Sequence, residues 1–402
     1  MKPIRICSII NGTGGEGGAE RMLQRVIRHG NTSEFEHLVL SIKNFQQVAE
    51  ELAAEGINVQ SLNVQADYYK LPKAVIQLVA RIRKFKPDVI QSWMYMADFF
   101  GGIAGHLAAP STPMIWTIRH STLDPAIDSR ALRWCAAGCA RMSKRVPSRI
   151  VLNSHAAVPI HAGAGYDESK MQIIPNGFDV SRFSPSQKLR HEVRARLGIP
   201  QNAPVVGRVA RFHANKDHVT FLKAAQIVLA QRPDVRFLVC GEPQTISSEQ
   251  VQQDINSLGL ADAVQLVELQ SDIVPLNCSF DIATCSSITE AFPNVIGEAM
   301  SCGVPCVSTD VGDALQIIGE TGRVVPVQSP PQFAEALLEL LNLPEGNRLQ
   351  LGASARQRVV DRFELAHSTG QFVDLWRELA GRPAAGVTIC HESQLSSVRR
   401  AA

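Results

Sequence analysis

Two carboxylates, Glu290 and Glu298, bracket the segment EAFPNVIGEAM at residues 290–300, with seven residues between them. The preceding run FDIATCSS (280–287) reads as a strand ending in a polar turn, and Pro293 suits the first position of a helix. Asn294, Val295 and Ile296 would then offer unpaired N–H groups at a helix start, where anions are held. One carboxylate can accept from sugar hydroxyls and the other from ribose hydroxyls, while the amides hold phosphate. Equally, both acids could do no more than oppose the helix dipole. A second constellation is VGRVARFHANKDHVTFLKAA (206–225), which reads as strand, short loop and helix. Arg211 and Lys216 can converge across that loop on one anion, as a departing diphosphate requires. The alternative is a pair of solvated surface cations. Arg208 falls within the strand and is the weaker candidate.

A third motif, GTGGEGGAERM (12–22), follows the first strand and opens a helix, so its backbone can approach an anion closely. It contains the dinucleotide fingerprint Gly12-x-Gly14-x-x-Gly17, but EHLVLSIKN (36–44) lacks the acidic residue that a nicotinamide site needs after its second strand. A dehydrogenase is disfavoured.

These motifs need elements to hold them. At 402 residues the chain suits two domains. Strand-like runs at 4–10, 36–42, 57–62, 88–91, 113–118 and 149–152 alternate with helical patterns at 19–29, 71–85, 96–108 and 125–145. A second series runs through 204–209, 235–240, 264–267, 280–284, 305–308 and 323–325, followed by helical segments at about 330–342, 345–361 and 364–380. Such alternation predicts an α/β protein with two parallel sheets facing across a cleft. The turn-rich stretch IPNGFDVSRFSPSQ (174–187) is the expected connection. The expected domains are 1–175, joined by a returning helix at 364–381, and 176–363, with 383–402 a flexible tail.

Residues 1–175 carry 20 Lys and Arg against 14 Asp and Glu, whereas residues 176–402 carry 20 against 24. Different partners are expected for the two halves. SRALRWCAAGCARMSKRVPSR (129–149) places six cations on or beside one expected helix with apolar bulk. It could lie on an anionic membrane surface or simply cover the first sheet. The short apolar start, interrupted by Arg5, reads as a strand and not a signal peptide. Nine cysteines without zinc-finger spacing point to buried thiols in a reducing cytosol.

Taken together, GGAER (17–21), IPNGFD (174–179), Arg211…Lys216 with KDH, EAFPNVIGEAM and CGVPCVSTDVGD (302–313) resemble the retaining glycosyltransferases of family 4. The pieces stand in that family's order and span nearly the whole chain. The resemblance implies the GT-B fold, two Rossmann-like domains across a cleft. It implies that Arg211 and Lys216 stabilise a leaving nucleoside diphosphate, that Glu298 contacts ribose, and that Glu290 holds the donor sugar. The amides of Asn294, Val295 and Ile296 would support sugar and phosphate, and Gly17 and Gly18 would approach the diphosphate or the acceptor.

Within WTIRHSTLD (116–124), His120 falls where the family carries a polar residue near donor sugar and acceptor, with Arg119 beside it as a weaker candidate. In QSWMYMADFFGG (91–102), Trp93 and Tyr95 could stack on an acceptor sugar and Asp98 could accept from its hydroxyls, although core packing explains Trp93 as well. The implied transfer uses a UDP- or GDP-sugar, no cofactor and no metal, and attacks on the front face. The chain departs from the family at Glu242-Pro243, after RFLVCGE, and at Gly312-Asp313-Ala314. The expected activity is transfer to a glycan or lipid-linked acceptor in surface polysaccharide or lipopolysaccharide synthesis. The setting would be cytoplasmic, peripheral on the inner face of the plasma membrane, without a nucleic-acid partner. A sugar-nucleotide epimerase and a non-catalytic nucleotide-sugar-binding protein remain the alternatives.

Overall fold

The computed structural model describes residues 2–12, 18–30, 32–43, 47–64, 71–125, 128–241, 246–268 and 272–382. Gly17, Glu242-Pro243 and the 383–402 tail lie outside them.

Short apolar runs bounded by turns form parallel strands buried on both faces, as crossover helices demand. The first sheet comprises β1 (Ile4–Ile10), β2 (Phe35–Ser41), β3 (Asn58–Ser61), β4 (Val89–Trp93), β5 (Met114–Ile118), β6 (Arg149–Leu152) and β7 (Met171–Ile173), in the order β3-β2-β1-β4-β5-β6-β7. The second comprises β8 (Val205–Val209), β9 (Arg236–Gly241), β10 (Val264–Glu268), β11 (Ile282–Cys285), β12 (Cys306–Thr309) and β13 (Arg323–Val325), in the order β10-β9-β8-β11-β12-β13. β7, three residues long, was not expected.

Each sheet has apolar layers on both faces. On one face of the first, Leu78, Ile82, Phe100, Ala104 and Cys139 pack from helices Leu71–Phe85, Met94–Ala108 and Arg130–Met142. On the other, Leu23, Val26 and Ile27 of helix Gly18–His29 meet Phe372 and Trp376 of helix Leu365–Leu379. That last helix is anchored deep in the first domain: Trp376 Nε1 donates to buried Gln91 at 2.8 Å, and Arg377 pairs with Glu34 at 2.7 Å. The chain thus crosses between the domains twice. The crossings run side by side, Phe178 bridging Glu364 through N–H donation to Phe363 at 2.8 Å and acceptance from Leu365 at 2.9 Å.

The basic stretch 129–149 is not one helix. Ser129 caps a helix that ends at Met142, and Arg149 begins β6, where it pairs with Glu378 at 2.7 Å. Cys7, Cys135, Cys139, Cys302 and Cys306 are buried thiols. Among the described residues no helix is long and apolar enough to cross a membrane.

Candidate active site

Both sheets reverse strand order beside their first strand, between β1 and β4 and between β8 and β11. Loops leaving the carboxyl ends of those strands form the crevice where such sheets bind ligands. β8 leads into Arg211 and Lys216, and β11 into Glu290.

The two second-domain loops are lashed together. Ile288 N–H donates to the Asn215 carbonyl at 2.8 Å, and Ser286 Oγ to the Asp217 carbonyl at 2.7 Å. Asp217 takes the left-handed conformation (φ 46°) and caps helix His218–Gln231 by accepting from Thr220 N–H at 3.1 Å. Beneath the loops, buried Arg208 donates to the Lys216 carbonyl. Burial lowers the Arg208 pKa, while Asp217 and Glu290 are among the acids that oppose the shift. Burial, with Arg208 nearby, pushes His218 down to about 3, so a neutral imidazole meets the Arg211 carbonyl at 3.1 Å. On this frame Lys216 Nζ donates to Glu290 Oε1, which also accepts from Ser287 Oγ at 2.8 Å. Arg211 stands exposed on the same loop.

Past Glu290 the chain enters helix Asn294–Ser301, with one correction to the expected start. Pro293 takes the cap position, and its carbonyl accepts the Ile296 N–H at 3.1 Å. Ile296 is therefore no ligand donor: its amide is already bonded and its side chain is buried. Asn294 and Val295 remain half-exposed at the helix start. Gly297 is there for packing, since a Cβ would come within 2.0 Å of the Phe178 ring. Glu298 is half-buried; burial pushes its carboxyl upward, opposed by Arg25 and Arg182. Arg25 belongs to helix Gly18–His29 of the first domain and donates to the Gly177 carbonyl at 3.4 Å. Arg25 and Arg182 also line a cavity of about 810 Å³ beside the two crossings.

The first domain meets this wall directly. A Cβ on Gly18 would lie 3.8 Å from Asn294 Nδ2, so the starts of two helices face each other. Asn176 Nδ2 donates to Asn294 Oδ1 at 2.7 Å, and Ser121 Oγ to the Glu290 carbonyl at 2.7 Å. His120, next to Ser121, has Nε2 on Asp128 Oδ1 at 2.8 Å and its ring against the edge of Tyr95. Asp313, buried under the second domain's edge, reaches across to the backbone N–H of His155 (2.8 Å) and Ala156 (3.1 Å) and to His155 Nδ1 (3.0 Å). That contact raises the His155 pKa. Gly312 takes φ 53°, and a Cβ there would strike the Ala291 carbonyl at 2.2 Å, so this loop cradles the Glu290 loop.

Two acceptor candidates do not reach the crevice. Asp98 is fully buried: Ser92 Oγ donates to its Oδ1 at 2.6 Å, and burial lifts its carboxyl far above the ordinary range. Tyr95 is equally enclosed, its hydroxyl 2.7 Å from His161 Nε2. The cause is that helix Met94–Ala108 starts directly after β4 and turns both side chains into the core. Trp93 is core too, packed on Phe372. Arg119 lies at the end of β5 with its guanidinium 6.0 Å from the Trp93 ring centre. Asp128, Ser121, Asn176, Asp313, His155 and Arg25 complete the arrangement; none was given a site role beforehand, Asp313 having been named only as a departure from the family pattern. Ser121, Asn176 and Asp313 lay inside quoted motifs, whereas His155 and Arg25 carried no signal.

Residues 203–343 match the family model "Glycosyl transferases group 1", and residues 16–182 match "Glycosyltransferase Family 4". Each half of the chain matches a glycosyltransferase domain. The chain is 29% identical to the D-inositol 3-phosphate glycosyltransferase of Corynebacterium urealyticum over 59% of its length, spanning only 58% of that enzyme. It is 26% identical to the alpha-maltose-1-phosphate synthase of Mycolicibacterium smegmatis, with 70% of this chain and 78% of that one covered. Among solved structures it resembles Anabaena HepE in complex with UDP, at a TM-score of 0.81 and 22% identity, covering 93% of this chain and all of the other. The fold of these glycosyltransferase domains is GT-B.

Proposed function

We propose that the chain is a retaining, metal-independent glycosyltransferase that moves a sugar from a UDP- or GDP-sugar to a glycan or lipid-linked acceptor of surface polysaccharide. The observation that carries this reading is the Lys216–Glu290–Ser287 cluster, fixed beside the helix start at Asn294 and opposite the helix start at Gly18. Cations and two helix N-termini around one crevice suit a diphosphate that gains charge as it leaves. Arg211 and Lys216 take that charge, Glu298 accepts from ribose, and Glu290 accepts from sugar hydroxyls.

Glu290 is poorly suited to attack the sugar carbon, since one of its oxygens already accepts from both Lys216 and Ser287. The step proposed is a same-face displacement, which the family resemblance implies. The acceptor oxygen bonds to the anomeric carbon as the carbon–phosphate-oxygen bond breaks, and its proton passes to the departing phosphate. Binding of UDP by a protein of the same fold, HepE, is consistent with the donor class.

Support for an anionic membrane surface as partner comes from the helical layer Leu71–Phe85, Met94–Ala108 and Arg130–Met142. Asp98, buried, is the one acid in these three helices, and Ile76, Leu107 and Trp134 are exposed on them among cations. The reading is tested by incubating the protein with a panel of UDP- and GDP-sugars and following thermal stabilisation and slow donor hydrolysis, with and without EDTA. One donor should stabilise the fold and be hydrolysed regardless of EDTA. Stabilisation by none refutes the donor assignment, and stabilisation without turnover, even with acceptor extracts, favours the binding protein.

A further inference from the structure

Asp313 stands at the cap position of helix Ala314–Ile318, where an aspartate ordinarily accepts from the free N–H groups of its own helix. Its carboxylate makes no such bond. It reaches instead into the first domain, where Oδ2 accepts from His155 N–H at 2.8 Å and Oδ1 from Ala156 N–H at 3.1 Å. The helix that follows this turn, Ala157–Gly163, has Ala156 at its cap position, a residue with no side chain able to accept. The first domain thus leaves two N–H groups for which the second domain supplies the acceptor. Only 4% of the Asp313 side chain is exposed, and a carboxylate so enclosed needs those donors. The loop that carries it grips the Glu290 loop at both ends. Thr309 Oγ1 donates to the Ser287 carbonyl at 2.6 Å, and Asp313 N–H to the Ala291 carbonyl at 3.2 Å. Between them Gly312 lies flat against the backbone, since a Cβ there would come within 2.5 Å of the Glu290 carbonyl oxygen.

We propose that Asp313 is a positioning residue that couples the seating of the first domain to the placement of Glu290. This rests on the transferase reading above, in which Glu290 meets the donor sugar. Residues 309–313 have their backbone on the loop that carries Glu290 and one carboxylate in the other domain, so the two move as one piece. Ser121, donating to the Glu290 carbonyl at 2.7 Å, gives the first domain a second hold on the same loop. When the domains part, Asp313 loses its bonds to His155 and Ala156, and the Glu290 loop loses its anchor. Asp313 is enclosed in the seam and acts through Glu290, not on the reacting atoms.

Hydrogen exchange read by mass spectrometry on the full chain tests the coupling without any substrate. Asp313→Asn replaces one acceptor oxygen by a donor, which cannot accept from the N–H groups it faces. Amides of 153–157 should exchange about 3- to 10-fold faster, the scale of one net hydrogen bond. Those of 286–292 should follow, although the altered side chain bonds to none of them. Amides of β1 should not change, which separates the effect from general loosening. With the UDP- or GDP-sugar that the panel identifies, turnover should fall about 3- to 10-fold while affinity for UDP or GDP alone stays that of the parent. Glu290 meets the sugar and not the nucleotide, so the same substitution made on Glu290→Gln should lower turnover little further. The proposal is overturned if 286–292 exchanges as in the parent, if nucleotide affinity falls in step with turnover, or if the loss adds in full on Glu290→Gln. Equal acceleration of all amides, β1 included, also overturns it and makes Asp313 a residue of general stability. A protein that binds neither nucleotide and turns over no donor fails the transferase reading, and the exchange result alone then decides whether the two loops are coupled.

Discussion

At the second sheet's switch point the buried arginine, Arg208, donates to the Lys216 carbonyl and has Asp217 and Glu290 acting on its charge. At the first sheet's crevice edge the corresponding cation, Arg119, whose guanidinium is buried, has no acceptor among the described residues and another arginine as its charged neighbour. The topology is the same and both guanidinium groups are short of acceptors, Arg208 at Nε and Nη1 and Arg119 at all three nitrogens. The difference lies in the charge beside them: acids act on Arg208 and a cation acts on Arg119. A network already bonded around Lys216 and Glu290 can meet developing charge without reorganising. On the proposed reading the wall that carries Lys216 and Glu290 is preorganised.

The largest test of this contrast is Lys216→Ala. It should cut turnover on the order of 10²- to 10³-fold, in the range of a lost charge-stabilising donor, with little change in melting temperature because Lys216 is part-exposed. An unchanged rate would remove it from the site and equalise the two walls. Next, Glu298→Gln should weaken donor binding by about 10- to 100-fold, the scale of hydrogen bonds to a charged acceptor. The parent's donor affinity should fall as pH drops, because burial has raised the Glu298 carboxyl and protonation ends its acceptance from ribose. Isothermal titration across pH reads both effects, and a donor affinity flat with pH would exclude Glu298.

A smaller change concerns the packing behind the donor wall. Gly297→Ala should destabilise the fold by about 1–3 kcal/mol in chemical denaturation, since the added methyl meets the Phe178 ring at 2.0 Å. Smallest is the seam between the walls. His155 has a raised pKa because its ring bonds to Asp313, so its contribution is full below the ordinary histidine value and is lost as pH rises through the raised one. His155→Ala should abolish that slight loosening on the alkaline side, read as small-angle scattering of the domain arrangement. Asp313→Asn should loosen the seam more, because it also weakens acceptance from two backbone N–H groups.

The strand series of both domains was legible because parallel strands buried on both faces are short apolar runs between turn residues. Arg211, Lys216 and Glu290 were legible as types at strand ends. What spacing could not supply is which way a side chain turns once a helix begins. Tyr95 and Asp98 follow β4 even more closely than Lys216 follows β8, yet they face inward to His161 and Ser92. Ile296 failed for a local reason, the Pro293 carbonyl claiming its amide. Asp313 and His155 stand 158 residues apart, and a single chain carries no mark of such a pair.

The proposed reaction is transfer by front-face displacement from a sugar nucleotide held against the wall that carries Lys216 and Glu290. Its most direct test is the anomeric configuration of the product. With a turned-over donor and its acceptor, proton NMR of the product should show the donor's own configuration retained in the new glycosidic bond. An inverted product would contradict the displacement, and release of an epimerised free sugar with no glycoside would contradict transfer itself.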